Sequence, residues 1–180
     1  KFDALIVAVG AEPLMLPLPG FNADNGVVAT WAYEHADSLG ETIIVIGGGQ
    51  VGCETALYLC DKGKNVSILE MQNSLCPDAS KTGDEIRILL QENDNFSEIL
   101  GAKCKSIDKH SVTYDDKNGE EQTVTCDTVV FAAGMRSKTD LADSFITGTD
   151  IPECIEIGDC VRARTVEEAV AEGYNAAMSL

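Results

Sequence analysis

Positive charge is scarce in this chain of 180 residues: 13 Lys and Arg stand against 30 Asp and Glu, leaving a net charge of −17 and a pI near 4.3. A field of that sign repels phosphate backbones and anionic lipid headgroups over a Debye length, so neither nucleic acid nor a membrane surface is an expected partner. A nucleotide cofactor is not excluded, because backbone N–H groups at a helix start bind phosphate locally whatever the global charge. Long apolar runs are missing as well. No stretch of about 18 such residues occurs, so no bilayer-spanning helix is predicted. Histidine is reduced to His35 and His110. The seven cysteines (Cys53, Cys60, Cys76, Cys104, Cys126, Cys154, Cys160) contain no C-x-x-C pair. A structural zinc site is therefore not expected, and an odd count at irregular spacing reads as free thiols in a reducing cytoplasm. No P-loop and no Ser-His-Asp arrangement is apparent.

What is present fits a globular protein of one domain or two small ones, with 44% hydrophobic and 24% charged residues. Leu5–Val9 is a continuous apolar run closing on Gly10, the pattern of a strand buried on both faces. Residues 11–25 carry Pro13, Pro17, Pro19 and Gly20 and read as an irregular connector. A short helix is read over Thr30–Asp37. Thr42–Ile46 is a second buried strand, followed by Gly47–Gly52 and by Ala56, Leu57, Leu59 and Cys60 at helical spacing. Gly63 stops that helix, and Asn65–Glu70 is a third strand with an acid at its end. Asp84–Glu92 reads as helix. Ala102–Ile107, Val112–Tyr114 and Gln122–Cys126 read as short strands, the last two joined through Asn118-Gly119. Thr128–Ala133 repeats the apolar strand closing on glycine, at Gly134. Ile155–Ile157 leads to Gly158-Asp159, and Val166–Met178 reads as a helix opened by the capping-box pair Thr165 and Glu168. Glu92, Asp94, Glu98 and the acidic run 115–121 read as wet loop.

Residues 42–70 spell one βαβ unit, and Gly47-x-Gly49-x-x-Gly52 sits at its turn. Gly47 permits the tight turn, Gly49 lets a pyrophosphate approach the backbone, and Gly52 lets the helix pack close to the strand. Gly48, Gln50 and Val51 complete the phosphate-facing turn, and the helix N-terminus offers its free N–H groups. Glu70 is placed to accept hydrogen bonds from adenosine ribose hydroxyls and to repel a 2′-phosphate; the bland alternative is a solvated strand-end acid. Met71, Gln72 and Asn73 follow with no Arg, so NAD(H) is expected over NADP(H). Glu54 is read in the first turn of the helix, where it compensates the macrodipole. Cys53 and Cys60 lie seven apart on that helix and read as small buried hydrophobes.

The order Leu5–Gly10, Gly47–Glu54, Val129–Gly134, Gly158–Ala177 resembles the flavoprotein pyridine-nucleotide reductases that carry two dinucleotide-binding domains. In that family an NAD domain is inserted into an FAD domain, and Val7–Gly10 and Phe131–Gly134 look like the two strand–glycine joints. Ile157-Gly158-Asp159 looks like the late FAD motif, whose Asp binds the ribityl chain. The tail Gly158–Ala169 with Glu172-Gly173-Tyr174 is similar to NADH:flavin oxidoreductases of the Old Yellow Enzyme-related type, among them 2,4-dienoyl-CoA reductases and enoate reductases. The resemblance implies electron flow from NAD(P)H to FAD, then through an iron–sulfur cluster to FMN in an N-terminal barrel of which nothing is present here. In several relatives an acid at the Glu54 position lies near the nicotinamide. The absence of C-x-x-C between residues 37 and 137 departs from thioredoxin reductase.

The expected fold is α/β. A Rossmann-like NAD-binding domain over residues 37–137 holds a parallel sheet with a small antiparallel meander, and residues 1–36 and 138–180 are parts of an FAD-type domain. The chain, which starts at Lys1 with strand residues almost at once, is expected to be a piece of a longer polypeptide. The expected function is the NAD(H)-binding portion of a flavin-dependent oxidoreductase, inactive alone, with no catalytic residue and no metal of its own. Two rivals are a nucleotide-binding regulatory module and a redox-dead assembly domain. Loss of the flavin surface would bare apolar strands, which makes homo-oligomerisation an open expectation.

Overall fold

The computed structural model describes residues 2–21, 26–77 and 81–180. They divide into two compact units, Leu14–Gly134 and the pair of segments Lys1–Pro13 and Met135–Leu180.

In chain order the strands and helices are β1 (Ala4–Val7), β2 (Ala11–Pro13), β3 (Gly26–Val28), α1 (Ala29–Glu34), β4 (Thr42–Ile46), α2 (Gln50–Asp61), β5 (Asn65–Glu70) and α3 (Lys81–Gln91). Then follow β6 (Phe96–Leu100), β7 (Lys103–Asp108), β8 (Ser111–Asp115), β9 (Glu121–Thr125), β10 (Thr128–Phe131), β11 (Met135–Ser137), α4 (Thr139–Thr147), β12 (Glu153–Glu156) and α5 (Val166–Ser179).

The central unit is a three-layer sandwich. Its parallel sheet has the order β3-β10-β4-β5-β6. Successive side chains of a strand point to opposite faces, which explains the apolar run of β4. Ile43 and Val45 join Val66, Ile68 and Val130 on the face packed by Ala32 of α1, Cys53, Ala56 and Leu59 of α2 and Leu90 of α3. Ile44 and Ile46 join Leu69, Val129 and Phe131 on the face packed by Ile107 and Val112 of the antiparallel β7-β8-β9 meander. Ile43, Ile44, Val45 and Ile46 are each at most 4% exposed. Each contributes about 1.5–3 kcal/mol relative to exposure, so a strand covered on both faces needs no polar alternation.

The sequence reading puts residues 1–36 in the flanking part, but the central unit begins at Leu14. β3 pairs with β10 as the sheet's edge strand, and α1 packs in the helix layer. Residues 22–25 of the expected connector lie outside the described residues. Glu98, read as loop, stands in β6, the other edge of the sheet. Ser97 and Glu98 are exposed there while Phe96, Ile99 and Leu100 are half-buried. An edge strand of that mixed polarity carries no strong apolar signature.

The second unit pairs β1 with β12 in parallel and β2 with β11 antiparallel. Part of the proline-rich connector is thus strand, with Pro13 at its last residue. In the β2–β11 ribbon Arg136 Nε donates to Glu12 Oε1 at 3.0 Å, and this guanidinium holds the Glu12 carboxyl below the usual carboxylate range. Val7, Ala142 and Cys160 form a small core. The helix α5 opens with the expected capping box, Thr165 N–H donating to Glu168 Oε2 at 3.1 Å. All seven cysteines are unpaired.

Candidate functional site

The site grows out of the C-terminal end of β4. Gly47 N–H donates to Leu69 O at 3.0 Å, the last rung before the chain leaves the sheet. Gly47 has φ +109°, and a Cβ on it would lie 2.5 Å from Ala132 O at the end of β10. Only glycine turns the chain away there without a clash. Gly48 is buried under β5: a Cβ would meet Leu75 Cδ2 at 2.6 Å and Glu70 Cβ at 3.0 Å. Gly52 brings the first turn of α2 onto the strand end, with Gly47 O only 1.9 Å from where its Cβ would be.

Gly49 differs from these three. Its φ of −70° and ψ of −176° suit any residue, and no atom of the described residues lies within 4 Å of a Cβ built on it. Nothing among the described residues demands glycine at this position. The open space lies at the N-cap of α2, where no side chain caps the helix and no acid stands in the first turn. The first N–H groups of such a helix have no intrahelical partners, and its dipole favours an anion. Val51 is 52% exposed in that turn. A backbone cradle with room over Gly49 fits a pyrophosphate.

Glu54 falls outside the first turn. Because Gly49 is the N-cap, Glu54 is the fifth helical residue, and its Oε1 accepts from Gln50 Nε2 at 2.8 Å. Macrodipole compensation at the first turn is therefore not its role. Gln50, Val51 and Glu54 stand with Gly52 in the first turns of α2, next to its N-cap Gly49.

Glu70 ends β5 beside the turn. Its Oε2 accepts from Gly48 N–H at 2.6 Å and its Oε1 from Gln72 N–H at 2.7 Å. Each carboxylate oxygen keeps a further lone pair for a ligand hydroxyl. The Gly48 carbonyl accepts from Cys76 N–H at 2.8 Å and from the Cys53 thiol at 3.4 Å. Burial and the neighbouring Cys76 push the Cys53 thiol up, which favours its neutral form. Among the residues after Glu70, Met71 is 67% exposed, and the nearby Arg87 is occupied by Asp84 and Leu75 O.

Some participants escaped the sequence reading. Leu75 and Cys76 brace the turn from a segment without regular structure; Cys76 has φ +44°, uncommon outside glycine. The β8–β9 turn brings Lys117 beside Gly101, whose N–H donates to Gln72 O at 2.9 Å. No sequence signal links residues so far apart.

Gly134 follows β10 at φ +107°, and its carbonyl accepts from Leu14 N–H at 2.9 Å. Gly158 and Asp159 belong to the other unit. Gly158 has φ +69°, and its N–H donates to Glu172 Oε2 at 2.6 Å. Asp159 Oδ1 accepts from Arg164 N–H at 3.2 Å, which leaves the second carboxylate oxygen for a hydroxyl. The Arg164 guanidinium and the Gly158 N–H hold the Glu172 carboxyl below its usual range.

Residues 1–173 match the family model described as pyridine nucleotide-disulphide oxidoreductase. The chain is 32% identical over 182 residues to a cinnamate reductase of Clostridium sporogenes, covering 99% of this chain and 26% of that protein. It is 32% identical over 176 residues to a bilirubin reductase of Mediterraneibacter gnavus, covering 97% of this chain and 27% of that protein. The solved structure of a 2-naphthoyl-CoA reductase complex superposes with a TM-score of 0.86 at 28% identity, over 99% of this chain and 27% of that one. A Lactococcus lactis thioredoxin reductase shares the fold, with a TM-score of 0.80 at 23% identity over 97% of this chain and 63% of that one. The chain thus spans about a quarter of the length of the two curated relatives named. The glycine turn at an uncapped helix, the parallel sheet and the match over residues 1–173 agree: the chain belongs to the pyridine nucleotide-disulphide oxidoreductase family.

Proposed function

We propose that this chain is the NAD(H)-binding portion of a flavin-dependent oxidoreductase in which hydride passes from NADH to FAD and onward, in the parent, to an enone or enoyl acceptor. The observation that carries the reading is the open space over Gly49 at the uncapped start of α2. In this reading Gly49, Gln50, Val51 and Gly52 present backbone N–H groups to the pyrophosphate, Glu70 faces the adenosine ribose, and Glu54 lies toward the nicotinamide. Gly158 and Asp159 present a strand end to FAD. The bound cofactors supply the redox chemistry, and the chain supplies orientation and electrostatics. The names of the relatives, reductases of cinnamate, bilirubin and 2-naphthoyl-CoA, favour an unsaturated acceptor. An FMN and an iron–sulfur cluster would belong to parts of the parent outside this chain.

Calorimetric titration with NADH beside NADPH tests the reading. Saturable NADH binding with much weaker NADPH binding is expected, because a fixed carboxylate opposes a 2′-phosphate. Preference for NADPH would overturn the assignment of Glu70. Binding of neither would overturn the site.

A further inference from the structure

We infer that Glu70 acts on a dinucleotide by clamping the glycine turn into its binding shape, and not through the ribose alone; the inference rests on the dinucleotide reading above. The peptide groups of Gly48 are saturated from within the chain. Its N–H is taken by Glu70 Oε2 at 2.6 Å, and its carbonyl by Cys76 N–H at 2.8 Å and the Cys53 thiol at 3.4 Å. Gly48 is therefore not a phosphate donor. It is the anchored link that aims the next residue, Gly49, and the start of α2. The other Glu70 oxygen accepts Gln72 N–H at 2.7 Å, so one carboxylate ties the end of β5 to the turn that follows β4. The close packing of Gly48 against Glu70 Cβ and Cγ, each 3.0 Å from a Cβ position on Gly48, makes the contact steric as well as polar.

Only a carboxylate accepts at both ends. A glutamine has one acceptor oxygen, and its amide NH2 would face a backbone N–H donor at the other end. The loss of a short charge-assisted bond then falls on the turn itself, before any ligand arrives. Two views of Glu70 thus predict different results. If it serves only the ribose, neutralising it weakens NADH through the hydroxyls and relieves repulsion of a 2′-phosphate. If it clamps the turn, every ligand whose pyrophosphate sits on the turn is weakened.

The experiment compares the chain with Glu70→Gln and Glu70→Asp. The amide 1H–15N signals of Gly48 and Gln72 are read without ligand, followed by titrations with NADH, NADPH and an NADH analogue lacking both adenosine ribose hydroxyls. In Glu70→Gln the two amide protons are expected to shift upfield and exchange faster, and affinity for all three ligands to fall about tenfold or more. Glu70→Asp, which keeps the charge on a shorter stem, is expected to lose one of the two amide signatures and supplies the answer if the glutamine variant does not fold. Unchanged amide signals would overturn the clamp. So would a loss confined to NADH that vanishes with the analogue while NADPH binding improves. If the parent chain binds none of the three, the dinucleotide reading falls and the ligand half of this inference with it, while the amide signals still decide the clamp.

Discussion

Gly52→Ala is expected to lower the stability of the central unit by about 3 kcal/mol, at the upper end of the usual range for forced overpacking. The new methyl carbon would lie 1.9 Å from Gly47 O and 3.0 Å from the carbon of the same carbonyl. Both are backbone atoms at the end of β4, so no side chain can swing aside. Relief requires α2 to move off the sheet, and α2 carries Cys53, Ala56, Leu59 and Cys60, none more than 4% exposed. The midpoint of urea unfolding reads the effect, and NADH binding is expected to vanish with it. An unchanged midpoint would show that the helix does not sit on the strand end as described.

Gly49→Val is expected to behave in the opposite way. Its backbone is in an extended conformation that β-branched residues favour, and no atom of the described residues approaches within 4 Å of a Cβ. Stability should fall by no more than about 1 kcal/mol, the cost of an apolar residue at the N-cap of α2. Affinity for NADH should fall on the order of a hundredfold, because the valine fills the space through which the pyrophosphate reaches the backbone. The same calorimetric titration reads it, and unaltered affinity would place the ligand elsewhere. Taken together, the two variants separate a glycine required by the fold from a glycine required by the ligand.

That distinction was only half legible in the residues. The unit β4–α2–β5 could be read directly, because a strand buried on both faces gives an unbroken apolar run and the helix after it has no competing pattern. The meander was legible through Asn118-Gly119, and the capping box of α5 through Thr165 and Glu168. β3, β6 and β11 were not, since short edge strands are specified by their partners more than by their own composition. α4 was missed as well, although Leu141, Ala142, Phe145 and Ile146 recur at helical spacing; only Ala142 of the nine is fully buried. Within the site, the glycines and Glu70 stood out, but the helix start was placed too late, which put Glu54 in the wrong turn. The contacts of Glu70 with Gly48, 22 positions away, and of Cys76 with Gly48 are properties of the folded chain. A strand-end acid looks the same in a sequence whether it waits for a ribose or already holds the turn.

The bond from Leu14 N–H to Gly134 O, at 2.9 Å, has an architectural consequence. The central unit receives the polypeptide and releases it at one spot on its perimeter, so its first and last residues are neighbours. A segment with that property behaves as a cassette: it can be threaded into a host loop, or excised and re-closed, without stretching any internal strand. Residues 14–134 thus enter and leave their compact unit at a single point.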